Sequence, residues 1–163
     1  MPHPGFACEI TARHVAAAGW TGGRLGVDGF ALEPLPGGAV AVSPVEANIA
    51  NVDTVRAALE RVLSRVRLQG REIALLVPDQ VVRVFILHFD TFPKRADEAV
   101  PLLRWRLKKS VPFDVEETVV SYMMQASRNA GVDVVAAIAR QRIVRQYEEV
   151  VEAVGLHPGV VLG

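Results

Sequence analysis

The sequence has few of the residues that usually signal chemistry: one cysteine and four histidines among 163 residues. A lone thiol cannot close an internal disulfide. Cys8, inside Phe-Ala-Cys-Glu-Ile, reads as a small buried hydrophobe in a reducing compartment, with no Lys or His beside it to activate the sulfur. His3, His14, His88 and His157 have no metal-ligand spacing, which argues against a metal centre. No nucleophile elbow occurs. The pairs Gly22-Gly23 and Gly37-Gly38 do not open a helix with the spacing of a dinucleotide fingerprint and read as hairpin turns. No apolar run approaches the ~20 residues that span a bilayer. The start, Met-Pro-His-Pro-Gly-Phe, lacks the basic and apolar regions of a secretory signal. Lys plus Arg and Asp plus Glu both number 18, so the net charge is zero, and no global charge favours nucleic acid. The chain reads as cytoplasmic, with no catalytic residue, no nucleic-acid partner and no membrane span.

What is abundant is apolar material. Half the residues are hydrophobic and the mean hydropathy is +0.25, ample for a core. Phe6–Ile10, Val15–Trp20 and Arg24–Glu33 read as strands, with a turn at Thr21-Gly22-Gly23. Pro34–Gly38 is a turn and Ala39–Ser43 a further short strand closed by Pro44, completing an antiparallel meander. Asn51–Gly70 reads as an amphipathic helix capped by Asn51 or Asp53, with Val55, Leu59, Val62, Leu63 and Val66 on one face. Ile73–Val77 is an unbroken apolar run suited to a strand covered on both faces. Reached through a helix, it implies a mixed sheet.

Pro78-Asp79-Gln80 is either a hairpin turn or a hinge, and Val81–Phe89 is a long strand after it, with Val82, Val84 and Ile86 expected in a core. Arg95–Lys109 reads as a helix with Ala99, Leu102, Leu103 and Leu107 as its stripe. Pro101 is tolerated only in a first turn, so the regular helix starts near Asp97 or Glu98 or bends early. Val111-Pro112-Phe113 ends it. Thr118–Gln125 and Val132–Ala139 are strands joined by the turn Ala126–Gly131. Arg140–Val154 is the last helix, stopped at Gly155. Leu156–Leu162 opens a strand where the sequence stops, the pattern of a chain cut within a longer one.

This order, with LVPDQVVRVFILHFDTFP, LRWRLKKSVPF and ARQRIVRQYEEVVEAVGLHPGVV as its most specific stretches, resembles the first half of the PilM-type actin-like proteins of type IV pilus machines, a family related to the FtsA type. The resemblance implies an α/β (α+β) fold, half of an actin-like, ribonuclease H-like architecture. Its first subdomain would span 1–79, a strand–helix–strand–strand insert 80–139, and a return helix and strand 140–163. It implies a cytoplasmic scaffold, peripheral to the inner membrane, that binds the N-terminal tail of a PilN-type membrane protein in a cleft between subdomain and insert. Self-association is a second partner reading. An actin-like ATPase or polymerising cell-division protein and a stand-alone regulatory domain are the alternative functions.

Typical full-length relatives hold ATP and Mg. Their first hairpin reads Asp-Ile-Gly-Ser-Ser-Ser-x-Lys, where this chain has Glu9-Ile10-Thr11-Ala12-Arg13-His14-Val15-Ala16. Glu9, Thr11 and Arg13 would be a degenerate phosphate hairpin, since Thr11 replaces the glycine and Ala16 the lysine. No cofactor and no enzymatic activity are expected. For the partner tail, Val82 at the hinge and Arg104 and Trp105 on the helix are the candidate contacts. The plain alternative for Arg104, Arg106, Lys108 and Lys109 is a solvated helix end favoured by the dipole, and for Trp105 a place in the core.

Overall fold

The computed structural model describes residues 4–20, 26–67, 70–127 and 130–162. In chain order the elements are β1 (Phe6–Ile10), β2 (His14–Gly19), β3 (Gly29–Pro34), α1 (Val52–Leu63), β4 (Glu72–Leu76), β5 (Arg83–Phe89), α2 (Ala96–Leu107), β6 (Thr118–Ala126), β7 (Val132–Arg140), α3 (Gln141–Ala153) and β8 (His157–Leu162). They build two sheets. The larger has the order β3-β2-β1-β4-β8 and the smaller β5-β7-β6.

The larger sheet is mixed, as the helix crossover implies. β1, β2 and β3 are antiparallel neighbours, whereas β4 runs parallel to β1 and to β8. Alternation along β1 sends Phe6, Cys8 and Ile10 into the core. α1 and α3 cover that face, burying Val55, Leu59 and Val62 from one helix and Ile143, Tyr147 and Val151 from the other. Asn51 caps α1 by accepting the N–H of Thr54 at 3.0 Å.

α1 ends at Leu63, short of Gly70, because Ser64 turns its hydroxyl back onto the carbonyl of Arg61 at 2.8 Å, a local bond that competes with helix continuation. Ala39–Ser43 is not a strand. It contributes one bridge, Val40 to Ile49, because buried Asn48 holds the segment as a loop. The Asn48 side chain accepts the N–H of Ser43 and donates to the carbonyls of Ser43 and Glu46, and its own N–H donates to Gln146 Oε1 on α3. β3 begins at Gly29, later than the pattern implies. Gly22-Gly23 and Arg24 lie outside the described residues, as do two positions of the Ala126–Gly131 turn.

Pro78–Gln80 is not a hairpin turn within one sheet. A single 3-10 turn, Asp79–Val81, carries the chain from β4 in one sheet to β5 in the other. In the smaller sheet, β5 and β6 flank β7, and both pairings are antiparallel. α2 starts at Ala96, so Pro101 sits inside it. The helix packs Leu103 and Leu107 on Val134, Ala136 and Ile138, with Phe85, Leu87 and Phe89 alongside. Phe92 bridges Phe89 and Tyr122, at ring distances of 5.0 and 5.5 Å.

Val84 and Ile86 are not core residues. They are 63% and 75% exposed, because one helix covers one face and the aromatic face of β5 takes it. No helix among the described residues is long and apolar enough to cross a membrane.

Candidate functional site

Two concavities border the larger sheet where the chain leaves for the smaller one. The first lies at the β1–β2 hairpin. It has a volume of about 450 Å³ and is lined by Glu9, Thr11, Ala12, Arg13 and His14, with Val42 and Val77–Gln80 opposite. The hairpin is tied by its own side chain: Thr11 Oγ1 accepts the backbone N–H of Arg13 at 3.2 Å and of His14 at 3.0 Å. His14 Nε2 lies 3.1 Å from Glu9 Oε2. Behind them, burial first and the Glu9 charge second push the Cys8 thiol up to about 12, so it remains a protonated apolar packing group.

A triphosphate needs converging N–H donors and cations. Here Thr11 consumes two of the turn's N–H groups, and the carboxylates of Glu9 and Asp79 line the cavity. Ala16, where the resemblance implies a lysine, is a buried methyl paired with Glu9 across the hairpin. Arg13 is the one cation of fixed charge among the lining residues. These residues offer a phosphate one guanidinium, that of Arg13, in a turn where two N–H groups are already taken.

The second concavity is a cleft of about 380 Å³ between the two sheets. Its walls are the outer face of the smaller sheet, at Val82, Val84, Val119, Ser121 and Ala137, and the α3–β8 flank of the larger, at Val144, Glu148 and Leu162. The register explains the first wall: Val84 and Ser121 both pair with Ala137, so all three point to one side. Alanine at the centre leaves the hollow. Glu148 is the one charged residue lining it, and it lies 3.5 Å from Arg145, which also meets Glu149 and Glu152. Arg145 thus pairs with three carboxylates, of which Glu148 alone lines the cleft. β5 pairs only with β7, so its other backbone edge is unpaired among the described residues.

Of the expected partner contacts, Val82 lines this cleft and Arg104 and Trp105 do not. They belong to α2, which packs on the opposite face of the smaller sheet. Arg104 is a structural tie there. Its Nη2 donates to the carbonyl of Thr118 at 2.8 Å and its Nη1 lies 4.0 Å from Glu116. Trp105, for which the plain alternative was a place in the core, is 72% exposed. Sequence reasoning missed Ser121, Ala137 and Glu148. The alternation along β6 and β7 carried the signal for the first two, while Glu148 reaches the cleft only through the docking of α3.

Comparison with known proteins bears on the whole arrangement. The family described as type IV pilus assembly protein PilM matches residues 9–162. Among solved structures, a PilM–PilN type IV pilus biogenesis complex superposes with a TM-score of 0.81 at 22% identity, over 98% of this chain and 47% of that one. Cyto-EpsL, the cytoplasmic domain of an inner membrane component of the type II secretion system of Vibrio cholerae, superposes with a TM-score of 0.63 at 14% identity, over 96% of this chain and 56% of that one. The chain therefore spans about half the length of the solved chains it matches, and at these identities the likeness is one of fold.

Proposed function

This chain belongs to the type IV pilus assembly protein PilM family, and from that premise we propose that it is a non-enzymatic scaffold of a type IV pilus machine. Its inter-sheet cleft would hold the N-terminal tail of a PilN-type inner-membrane protein. That partner would place the chain at the cytoplasmic side of the inner membrane.

The cleft carries the proposal. Its lining is apolar apart from Ser121 and Glu148, and it runs beside the free edge of β5. An extended segment binds such a site through backbone pairing to the edge and alternate side chains in the hollow. Apolar side chains would fill the space over Ala137, and a basic group of the tail would meet the carboxylate of Glu148. The fold and the degenerate phosphate hairpin agree with a scaffold that works by holding peptides.

The test is titration of a labelled synthetic tail peptide into the folded chain. Ala137→Trp fills the hollow and should weaken binding at least ten-fold, about 1.4 kcal/mol. Val82→Asp should do the same by placing a charge in an apolar wall. Circular dichroism must show both variants folded. Parent-like affinity in both would place the tail elsewhere.

A further inference from the structure

The last turns of α2 present a surface that faces away from the cleft and has no role in the core. Ala99, Leu103 and Leu107 form the buried line of this helix. Trp105 stands about 200° around the axis from Leu103, so its indole is turned outward and is 72% exposed. Lys108, the C-cap of the helix, follows it at the i+3 position, Lys109 lies in the turn just past the helix end, and Arg106 is adjacent. All three cations are exposed. Among the described residues none of them is in an ion pair, in contrast to Arg104 and Arg95. The acids of α2, Asp97 and Glu98, lie in its first turn, and Asp97 is held by Arg95 at 2.6 Å. Within the helix the acids thus lie at the start and the free cations at the end that carries the aromatic ring, while the adjoining 3-10 turn brings Asp114, Glu116 and Glu117, with Glu116 toward Arg104.

The helix dipole accounts for cations at this end but not for a tryptophan left in water beside them. Tryptophan has an apolar body and a polar N–H, which suits the headgroup layer of a membrane, and Lys and Arg reach across the same layer.

We propose that Trp105, with Arg106, Lys108 and Lys109, docks the chain on an anionic phospholipid surface. Each basic residue held near such a surface strengthens binding about five-fold at moderate salt. The net charge of the chain is zero, so the attraction is local and orients the molecule. α2 would lie against the headgroups while the cleft, on the opposite face of the smaller sheet, stays open to a peptide. A nucleic-acid strand is the poorer occupant, because the patch offers one stacking ring and no extended basic track.

Vesicle sedimentation of the folded chain tests the assignment. At about 0.1 M salt the protein should pellet with phosphatidylcholine vesicles containing about 30 mol % phosphatidylglycerol and not with phosphatidylcholine alone. Lys108→Ala with Lys109→Ala should weaken binding about 25-fold, and Trp105→Ala several-fold. In a Trp20→Phe background the Trp105 emission should shift to the blue on binding. The double lysine variant should keep the parent circular dichroism and the parent affinity for the tail peptide, which separates this surface from the cleft. Equal binding to neutral vesicles, absence of binding to anionic ones, or parent-like binding by the variants overturns the proposal. So does tighter binding of oligothymidylate or polyglutamate through the same residues.

Discussion

Glu9 and His14 meet across the β1–β2 hairpin, carboxylate Oε2 to imidazole Nε2 at 3.1 Å. Thr11, at the turn between them, holds the backbone N–H groups of Arg13 and His14 on its own hydroxyl. A hairpin that ties two of its N–H groups to its own hydroxyl has fewer donors left for a phosphate. Isothermal titration with Mg-ATP is therefore expected to show no saturable heat, and the chain no ATP hydrolysis. A low-micromolar dissociation constant would refute this reading of the hairpin.

Arg104 should matter for stability and not for peptide binding. Its guanidinium bonds the Thr118 carbonyl and joins the end of α2 to the start of β6, and its Nε is buried without a partner among the described residues. Arg104→Ala is expected to lower unfolding free energy in urea by about 1–2 kcal/mol while leaving tail-peptide affinity within two-fold or so. An affinity loss in a fully folded variant would return Arg104 to the binding surface.

Neighbouring residues of β5 should respond in opposite ways. Ile86 is 75% exposed, whereas Leu87 packs with the core formed by α2 and β7. Ile86→Lys should change stability by no more than about 0.5 kcal/mol, and a lysine on an edge strand should also reduce self-association. Leu87→Ala should cost about 2 kcal/mol. The two urea midpoints decide it: a reversed order would mean that the other face of β5 is the covered one.

Asn48 should be among the most sensitive polar positions. It is fully buried, and its side chain makes three hydrogen bonds to the backbone of its own loop. Its N–H reaches Gln146 at 2.8 Å, across 98 residues of sequence. Asn48→Ala strands those backbone groups and should cost about 3 kcal/mol. Asn48→Asp should be no milder, since it removes both amide donors and buries a charge. Thermal melts that match the parent for either variant would mean that solvent reaches this loop.

The elements that were legible in the sequence are those fixed by short-range rules. Phe6, Cys8 and Ile10 alternate, and β1 follows. Val55, Leu59 and Val62 repeat at helical spacing behind an Asn cap, and α1 follows. The break at Pro78 and the stop at Gly155, whose φ is +83°, were visible as turn residues. Ala39–Ser43 misled because its apolar pattern suits a strand, while the bonds that make it a loop run through Asn48 to Gln146. Of the cleft, Val82 alone was anticipated. The remaining wall residues come from β6, β7, α3 and β8, which approach only after both sheets have formed.

By itself the sequence determined the order of elements apart from Ala39–Ser43, the periodicity of their apolar faces and the loss of glycine and lysine from the first hairpin. These depend on neighbours within a few positions, where backbone sterics and side-chain spacing act directly. Only the tertiary structure decided which face of β5 is covered, that Trp105 points to solvent, and that the cleft and the basic end of α2 lie on opposite faces of one sheet. Each of the last three depends on a single helix having one face to bury. Phe85, Leu87 and Phe89 compete with Val84 and Ile86 for the cover that α2 provides, and the larger apolar area prevails.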